Sequence, residues 1–581
     1  MQNASQKIMT LWTRVRQWPQ IKLRRVRRLF GQGFAGQSYA AQVLQALHIA
    51  PVLAQAEQDR LPLAGGLLLL VDRPYGLVEG CALVTLLGSL RLDLRILEDD
   101  VLEADPAGAA LCLGPGTEAE RWQRAGTHLR HGGTVAVFVE RASRRHLVAK
   151  PKLALERGER LAALARDTGV AVQAAHWKGG KRRFALRALG LDKPGLRRAA
   201  LSRGPLAKAG ARLDLQLGTP VPPSRMKTFT SDADAAEYLA LRQWLLRHRG
   251  QRASETTPLR PLRSVPKQRP LASPLPKEVL LQELAALPPQ ARLAQSGDLV
   301  CYLAEAWEIP SLLREIGRVR EETFRAVGEG TGQPLDLDRF DQHYLHLFMW
   351  HEKDQCVAGG YRLGATDVIL AKHGAGGLYT HSLLHMKPAL LRQLDPALEM
   401  GRSFVAPAYQ RSFAPLMLLW KGVGAYVAAH PRYRRLFGMV SISAEYQALS
   451  RELIASYIKQ HLFRGDLAKL AYPKRPFGPA YHASRHDPMT WRLGRDLDEV
   501  SAWISELEHD GKGLPVLFKQ YARLGGQFFG FNVDPDFGHA LDGMVCVDLV
   551  GTEPRTLEKY LGAEGASQFL AYHAKIQAPQ A

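Results

Sequence analysis

The stretch from residue 398 to residue 427, LEMGRSFVAPAYQRSFAPLMLLWKGVGAYV, most limits how this chain can fold, because it combines a strand, a break and the start of a helix. Residues 398–405 have the pattern of a strand that Pro407 ends, and from Phe413 onwards apolar residues recur at helical spacing. Ser412 is a plausible N-cap for this helix, and Pro415 is tolerated in its first turn. Because the first amides of a helix are free and its dipole attracts negative charge, the junction predicts an anion site, with a phosphopantetheine phosphate as its natural guest.

Glu399 and Arg402 stand three residues apart within the predicted strand. In a regular strand they would face opposite sides, whereas one extra residue bulged at Gly401 would bring both side chains to the same side. The bulge is a hypothesis that puts a carboxylate and a guanidinium into a cleft beside the anion site. The spacing alone also allows a solvated ion pair at the end of a strand.

The chain is long and strongly basic. Its 581 residues suit two or more domains of ordinary size. A formal net charge of +21 implies an acidic partner, which is a nucleic acid, an anionic membrane surface or an acidic carrier protein. The sequence has no zinc-finger spacing and no glycine-aromatic RNA-binding motif, so we expect no nucleic-acid partner.

Cysteine usage and hydropathy indicate a cytoplasmic protein. The five cysteines are dispersed and lack Cys-x-x-Cys spacing, which is typical of a reducing compartment without structural metal. The longest apolar run, residues 67–71, is far too short to span a bilayer, and the N-terminal residues lack the apolar core of a signal peptide. Residues 11–34 interleave tryptophans with many arginines, which suits a segment that lies on anionic lipid headgroups or, equally, a basic surface helix.

Short apolar runs separated by helical patterns indicate an α/β first half with a mainly parallel or mixed sheet. Residues 251–277 are rich in proline and basic residues and poor in large apolar ones, which is typical of an extended, semi-rigid linker. We therefore expect a domain at 1–250, this linker, and a second domain at 278–581.

A motif directly follows the first strand of the first domain: Asp72-Arg73-Pro74-Tyr75-Gly76-Leu77-Val78-Glu79-Gly80. It resembles the signature of the lysophospholipid acyltransferase family in the variant found in ornithine lipid synthases and hemolysin-like acyltransferases. Arg73 stands where that family has its histidine, and Glu79 where it has its aspartate. Because arginine is not deprotonated in proteins, Arg73 cannot serve as the base, and the resemblance implies an α/β domain that has lost the histidine mechanism.

This degenerate motif leaves two roles open. The first domain would still bind lipid or membrane through basic side chains, namely Arg73, Arg141, Arg144 and Arg145. Alternatively, Arg73 and Glu79 form an ion pair that is purely structural.

The second half carries four motifs in an informative order: Arg320-x-x-x-Phe324, Asp338-x-x-Asp341, Gly360-Tyr361-Arg362-Leu363 and Glu399-x-x-Arg402. The series resembles the acyl-homoserine-lactone synthases, whose fold belongs to the GNAT superfamily. The match to the ornithine N-acyltransferase module of ornithine lipid synthases is closer and continues over most of residues 290–575. The resemblance implies a mixed-sheet, GNAT-like second domain that takes acyl groups from an acyl carrier protein.

An amine that attacks a thioester needs a neutral amine, a positioned thioester and donors for the oxyanion, but no covalent enzyme intermediate. By resemblance, Glu399 orients or deprotonates the amine, and Arg402 and Arg362 hold a carboxylate or a neighbouring acid. The resemblance also implies an acceptor-binding cleft wall and a donor-binding segment. The wall comprises Arg320, Phe324, Asp338 and Asp341, and the donor segment comprises Val405, Arg411, Ser412 and Phe413.

Asp338 and Asp341 suit the side-chain ammonium of an ornithine acceptor, or alternatively hold loop geometry through hydrogen bonds. Lys421, Arg432, Arg434 and Arg435 offer a positive surface that would speed encounter with an acidic carrier protein, or are simply a solvated face. His343 and His346 share a helical face, but no carboxylate completes a metal set, so we expect structural histidines and no metal.

The sequence thus predicts an acyltransferase of aminolipid synthesis, peripheral at the inner face of the cell membrane. It would transfer a 3-hydroxyacyl group from an acyl carrier protein to the α-amine of ornithine and give a lyso-ornithine lipid. It would need no cofactor beyond the 4′-phosphopantetheine of the donor. The alternatives are a bifunctional synthase whose first domain also O-acylates the lyso-lipid, and a non-catalytic membrane- or nucleic-acid-binding protein.

Overall fold

The computed structural model describes residues 36–46, 49–72, 79–103, 106–139, 151–178, 211–250, 268–477 and 496–577. The chain divides into two compact units, Met1–Arg249 and Gly250–Ala581, called unit 1 and unit 2 below. Residues 251–267 of the expected linker lie outside the described residues. Residues 268–276 have no helix or strand and run along unit 2, where the amide of Arg269 donates to Gly332 O at 3.0 Å and that of Ala272 to Pro334 O at 3.0 Å.

Unit 1 alternates strands with helices along the chain. Its described strands are β1 (Ile49–Val52), β2 (Leu67–Asp72), β3 (Leu94–Ile96), β4 (Thr134–Val139), β5 (Ala171–Lys178) and β6 (Ala211–Leu217). Its described helices are α1 (Gly36–Ala46), α2 (Gln55–Gln58), α3 (Glu79–Leu87), α4 (Asp100–Glu103), α5 (Pro106–Ala109), α6 (Glu118–Arg130), α7 (Pro151–Thr168), α8 (Pro223–Met226) and α9 (Asp232–His248).

The strands of unit 1 form one six-stranded sheet in the order β1-β6-β5-β2-β4-β3, parallel except where β5 meets β6. Strand β2 lies at its centre and is buried along its whole length. Leu67 and Leu69 belong to the core on one face, and Leu68 and Leu70 to the core on the other, as expected for a strand covered on both sides. The predicted α/β class is confirmed.

Unit 2 is built on more strands. Its described strands are β7 (Arg292–Ser296), β8 (Leu299–Glu305), β9 (Leu345–His351), β10 (Cys356–Ala365), β11 (Leu384–Met386), β12 (Ala397–Val405), β13 (Arg435–Ile442), β14 (Ala471–Pro473), β15 (Gln527–Asp534) and β16 (Ala540–Asp548). Its described helices are α10 (Lys277–Ala286), α11 (Pro310–Arg325), α12 (Thr366–His373), α13 (Tyr379–Leu383), α14 (Pro388–Leu394), α15 (Ala414–Ala429), α16 (Ala448–His461), α17 (Gly465–Ala468), α18 (Leu497–Leu507), α19 (Val516–Arg523), α20 (Pro554–Leu561) and α21 (Ala563–Gln577).

Eight of these strands form a sheet in the order β15-β16-β13-β12-β10-β9-β8-β7, while β11 and β14 pair separately. Neighbouring strands of the eight-stranded sheet are antiparallel except β12 and β13, which are parallel. The predicted mixed sheet in the second half is therefore confirmed.

The two parallel strands of unit 2 separate after a short common stretch. Their ladder joins Ala397–Met400 to Arg435–Gly438, and beyond it β12 continues beside β10 while β13 continues beside β16. A Cβ on Gly438 would lie 2.1 Å from the carbonyl oxygen of Met400, so a residue without a side chain is required where the strands last touch. We call the opening between residues 401–405 and residues 439–442 the wedge.

The predicted strand and helix at 398–427 are confirmed as β12 and α15. The hypothetical bulge is present but lies one residue later, at Arg402, which has a φ of 51° and stands where the β10 register shifts between Gly360 and Arg362. The N-cap prediction was wrong, because Phe413 occupies that position and α15 begins at Ala414 without a side-chain cap.

Candidate active site

Arg402 stands at the β12 side of the wedge. Its Nη1 donates to the Tyr379 hydroxyl at 3.1 Å, and its guanidinium carbon lies 4.8 Å from the Tyr379 ring and 4.9 Å from the Phe537 ring. The side chain is 11% exposed. The left-handed backbone at the bulge thus turns an arginine into an aromatic cleft, where cation–π contacts hold its direction.

Three arginines and three aspartates form one buried network behind this cleft. Its members are Arg320, Arg362, Arg402, Asp336, Asp338 and Asp341.

Arg320 grips Asp341 with two parallel hydrogen bonds of 3.1 and 3.0 Å and donates from Nε to Asp336 at 2.8 Å. Such fork-shaped pairs are strong and directional. Burial alone would raise the pKa of Asp341, but Arg320 and Arg362 outweigh it and hold that pKa below its usual range. The three positive and three negative charges balance, so the network is neutral overall.

Asp338 and Asp341 are therefore occupied by arginines. Arg362 donates to Asp338 Oδ1 at 2.6 Å, and Arg402 lies 3.4 Å from Asp338 Oδ2. The two aspartates also close a reciprocal capping box on the turn Arg339–Gln342. The structure thus gives them the loop-holding contacts that the sequence left open, and neither one is vacant for an ammonium group.

Glu399 is fully buried and bound on both of its oxygens. It accepts hydrogen bonds from the Thr380 amide at 2.5 Å, from the Thr380 hydroxyl and from the Tyr344 hydroxyl. Burial raises its pKa, while these hydrogen bonds and Arg362 oppose the rise. Within the described part of unit 2, no hydrogen bond or ion pair joins Glu399 directly to Arg402.

Tyr344, Arg362 and Tyr379 fill the space between these two residues. The Arg362 guanidinium carbon lies 5.1 Å from the Tyr344 ring and 5.3 Å from the Tyr379 ring. The predicted pair therefore belongs to one connected cluster, with Arg402 on its cleft side and Glu399 on its core side.

Phe324 supports the cleft from behind. It is 7% exposed and packs edge-on against Phe537 at a ring distance of 4.9 Å, and Phe537 in turn lies under Arg402. Phe324 therefore contacts the cleft indirectly, through the ring of Phe537.

The predicted donor segment lies at the start of α15. Val405 is half-buried, Arg411 and Ser412 are exposed, and Phe413 is 47% exposed. Since no side chain caps α15, its first amides remain available. Of the predicted basic surface, Lys421 is exposed, Arg432 pairs with Asp367 at 2.9 Å, and Arg434 and Arg435 approach Asp548 at 2.7 and 3.9 Å.

Three further carboxylates, which sequence reasoning missed, lie near Arg402: Glu329, Asp534 and Asp542. Each is at most 6% exposed, and Arg402 acts electrostatically on all three. No spacing in the sequence links these three residues to one another. Asp336 was also missed, although its place two residues before Asp338 is a usable signal.

The predicted motif of unit 1 is described only in part. Arg73, Arg141, Arg144 and Arg145 lie outside the described residues, while Glu79 is fully buried at the first residue of α3. Asp72, at the end of β2, accepts from the Trp177 amide at 3.1 Å and lies 2.7 Å from His176 Nδ1 and 3.6 Å from Arg247 Nε. Nothing in the sequence pattern had pointed to His176.

The two histidines considered for metal binding contact backbone. His343 Nε2 lies 2.9 Å from Gly377 O, and His346 Nε2 lies 2.8 Å from Asp341 O. Burial is the main reason why the pKa of His346 falls to about 4, so this ring is neutral. Across the described ranges, no three histidine, cysteine or acidic side chains are grouped to hold a metal, and no helix is both long and apolar enough to cross a bilayer.

Comparison with solved structures finds weak likenesses. A CoA-dependent acyl-homoserine lactone synthase, BjaI, with SAM and isopentyl-CoA aligns with 46% of this chain and 96% of its own, at 11% identity and a TM-score of 0.22. Another such synthase, MesI, aligns with 46% of this chain and 95% of its own, at 15% identity and a TM-score of 0.21.

Sequence comparison is more specific. The family described as "Acetyltransferase (GNAT) domain" matches residues 319–421, which run from α11 to α15 and include every predicted catalytic and substrate-binding residue. A glycine Nα-acyltransferase of Bacteroides thetaiotaomicron is 34% identical over 46% of this chain and 82% of its own length. A glycine Nα-acyltransferase of Phocaeicola vulgatus is 31% identical over 36% of this chain and 66% of its own length. The chain therefore belongs to the N-acyltransferase family of the first of these relatives and carries a GNAT domain in its unit 2.

Proposed function

We propose that unit 2 transfers an acyl group from the phosphopantetheine thioester of an acyl carrier protein to the α-amine of an amino acid. The proposed acceptor is ornithine, the proposed acyl group is a 3-hydroxyacyl chain, and the product is a lyso-ornithine lipid. The observation that carries the proposal is the wedge beside Arg402.

The wedge suits an extended chain with amide groups. Where β12 and β13 stop pairing with each other, their facing backbone N–H and C=O groups form two inner edges. Unpaired backbone groups are costly to bury, and an extended ligand can form hydrogen bonds with them as an added strand does. A pantetheine arm has amides for this purpose and carries its thioester at the end.

The beginning of α15 suits the phosphate of that arm. The helix follows β12 directly, lacks a side-chain cap and has exposed Arg411 just before it. Free amides, the helix dipole and a guanidinium all favour an anion there. The formal net charge of +21 and the exposed Lys421 favour an acidic carrier protein as the donor.

The reaction needs one proton acceptor and one group that orients the acceptor amino acid. The amine nitrogen forms a bond to the thioester carbon, the carbon–sulfur bond breaks, and the amine proton leaves as the thiol is released. We assign the carboxylate of the acceptor to Arg402, which stands at the wedge and is 11% exposed. Glu399 takes the proton through Tyr344, whose hydroxyl is bonded to it and lies on the side of Arg362 and Tyr379.

Glycine is the second candidate acceptor, because both curated relatives are named for it. Either acceptor gives an N-acylated amino acid, which is amphipathic. We propose that the enzyme works peripherally at the inner face of the cell membrane, where such a product would partition.

The test uses the full chain with acylated carrier protein or acyl-CoA, and ornithine or glycine, with mass spectrometry of the products. We expect an N-acyl amino acid from the carrier-protein donor. Arg402→Met should lower kcat/KM by about 10- to 100-fold, because a hydrogen bond to a charged group contributes about 1.5–3 kcal/mol. Arg464→Met is the matched control, since Arg464 pairs with Asp466 on the exposed surface of unit 2. No product with either acceptor, or equal losses in both variants, would overturn the proposal.

A further inference from the structure

The three carboxylates near Arg402 come from different parts of unit 2 and meet on one face of its sheet. Ser441 on β13 is the cross-strand neighbour of Asp542 on β16, and Asp542 is the neighbour of Asn532 on β15. Asp534 lies two residues beyond Asn532 and so points to the same face. The third carboxylate, that of Glu329, accepts a hydrogen bond from the Ser441 hydroxyl at 3.1 Å and so joins the same face.

This cluster lies on the β13 side of the wedge. Ser441 belongs to the part of β13 that has already separated from β12, as Arg402 belongs to the separated part of β12. The Tyr379 hydroxyl lies 3.1 Å from Arg402 Nη1 and 3.5 Å from Asp534, so a molecule held by Arg402 in the opening has this cluster beside it.

The cluster has too few partners for its charge. Asp534 accepts from the Asp536 amide at 3.0 Å and lies 3.5 Å from the Tyr379 hydroxyl, whereas the side chain of Glu329 has only the Ser441 hydrogen bond among the described residues. Asp542 is 4% exposed, yet within the described residues no hydrogen bond or ion pair reaches its carboxylate. The Asp542 carboxylate therefore lacks a partner and lies near the carboxylates of Asp534 and Glu329.

Arg402 compensates the cluster only in part. Its Nε lies 3.3 Å from Asp336 and its Nη2 lies 3.4 Å from Asp338, so its charge is already shared within the arginine–aspartate network. The neighbouring network has equal numbers of positive and negative groups, and the cluster has negative groups alone. An unpaired buried carboxylate is expensive, which favours either protonation or the arrival of a cation.

The directions of the pKa shifts in the cluster agree with this. Burial raises the pKa of Glu329 to about 7. Burial is also the main reason why the pKa values of Asp534 and Asp542 are raised, and for Asp542 the repulsion of Asp534 and Glu329 adds to it. A bound cation would remove the repulsion and return the groups to their ionised form.

We propose that Glu329, Asp534 and Asp542 form the subsite for a second, side-chain ammonium group on the acceptor amino acid. The proposal rests on the proposed function, because it gives the acceptor its orientation. The α-carboxylate lies on Arg402, the α-amine lies in the wedge, and the side-chain ammonium lies among the three carboxylates. An ammonium group has three donors, which suits a ring of acceptors.

This subsite separates diamino acids from neutral ones. Glycine has nothing to place among the carboxylates and leaves their repulsion in place, whereas an acceptor with a terminal ammonium removes it. The enzyme would therefore select its acceptor by the side-chain ammonium, a group that takes no part in the acyl transfer.

The experiment compares ornithine with norvaline, which has the same three side-chain carbons and no ammonium. Asp542→Asn keeps the shape of the side chain and removes its charge. Asp548→Asn is the matched control, since Asp548 stands on the same strand but is only half-buried and is paired with Arg434. We expect the ratio of kcat/KM for ornithine to that for norvaline to fall about 10- to 100-fold in Asp542→Asn and to stay constant in Asp548→Asn.

Direct binding makes the outcome independent of acyl transfer. Calorimetry on the full chain should show tighter binding of ornithine than of norvaline, and Asp542→Asn should remove that preference. Equal binding of both amino acids by the unmodified protein, or an unchanged preference in Asp542→Asn, would overturn the subsite. A preference in binding with no acylation of either amino acid would instead leave the subsite standing and overturn the proposed function.

Discussion

Asp72 in unit 1 and Asp542 in unit 2 are equally hidden from solvent but differ in what surrounds them. Asp72 receives the Trp177 amide and His176, with Arg247 close by, so its charge is met within the fold. Asp542 has only other carboxylates and an already engaged arginine near it. The difference teaches that burial alone does not identify a binding residue, whereas burial without partners does. Four variants test this contrast.

The largest effect should come from Asp72→Ala. Removing one partner of a buried, hydrogen-bonded pair typically costs about 3–5 kcal/mol, because the remaining groups lose their partner. We expect unit 1 to lose stability by this amount, measured as faster amide hydrogen exchange in β5, where Trp177 donates its amide to Asp72.

Asp214→Ala is the control for that variant. Asp214 lies in the same sheet and pairs with Arg212, which is 68% exposed, so the loss should stay below about 1 kcal/mol. Equal exchange rates in the two variants would show that the partners of Asp72 do not stabilise unit 1.

The next effect concerns pH and Glu329. Its folded pKa of about 7 lies above the ordinary 4.5, mainly through burial, with Ser441, Glu445, Arg402 and Asp534 as the polar groups that face it. The folded state therefore holds the proton more tightly, so this group contributes stability that is fully present below pH 4.5 and lost as pH rises through 7. At about 1.4 kcal/mol per pKa unit, the loss is at most about 3 kcal/mol.

Glu329→Gln should abolish that pH-dependent part. Denaturant unfolding of unit 2 at pH 5 and pH 8 measures it, as the difference between the unmodified protein and the variant. Saturating ornithine should reduce the loss at pH 8, since a bound cation favours the ionised carboxylate. A difference that does not vary with pH would contradict the assignment.

A smaller effect, of opposite sign to that of Asp72→Ala, is expected for Asp542→Asn. A residue kept for a ligand is commonly unfavourable for the free protein, so removing its charge should leave stability unchanged or raise it by up to about 1 kcal/mol. Thermal unfolding without amino acid measures this. A marked loss would place Asp542 with Asp72 as a structural residue.

The smallest effect should follow Arg432→Met. The pair of Arg432 with Asp367 is about two-fifths exposed on the arginine side, and exposed pairs contribute about 0.2–1 kcal/mol. Urea unfolding should detect little change. A larger loss would show that exposure does not rank these pairs as we propose.

Local signals in the sequence were sufficient for β12 and α15. The break at Pro407 and the spacing of Leu416, Leu419 and Val423 are properties of one short segment. The bulge was anticipated because Glu399 and Arg402 could not otherwise share a side, although its position was off by one residue. The N-cap failed because a hydroxyl at Ser412 is only a preference, and α15 starts without any side-chain cap.

The charge pairings could not be predicted in the same way. Whether Asp341 is vacant or gripped depends on Arg320, which approaches from a different helix, and no spacing within LDLDRFD reports this. The cluster of Glu329, Asp534 and Asp542 exists only because β13, β15 and β16 lie side by side. Sequence reasoning saw the acids that stood close together in the chain and missed those that the sheet brings together.

The short ladder that ends at Gly438 has a mechanical consequence. Only four residue pairs join β12 to β13, so the eight-stranded sheet consists of two halves that are connected by a short ladder. We expect the two halves to rotate relative to each other about this short ladder, so that the wedge widens without unfolding. A residue larger than glycine at 438 would push β12 away from β13 at Met400, because its Cβ would lie 2.1 Å from that carbonyl oxygen.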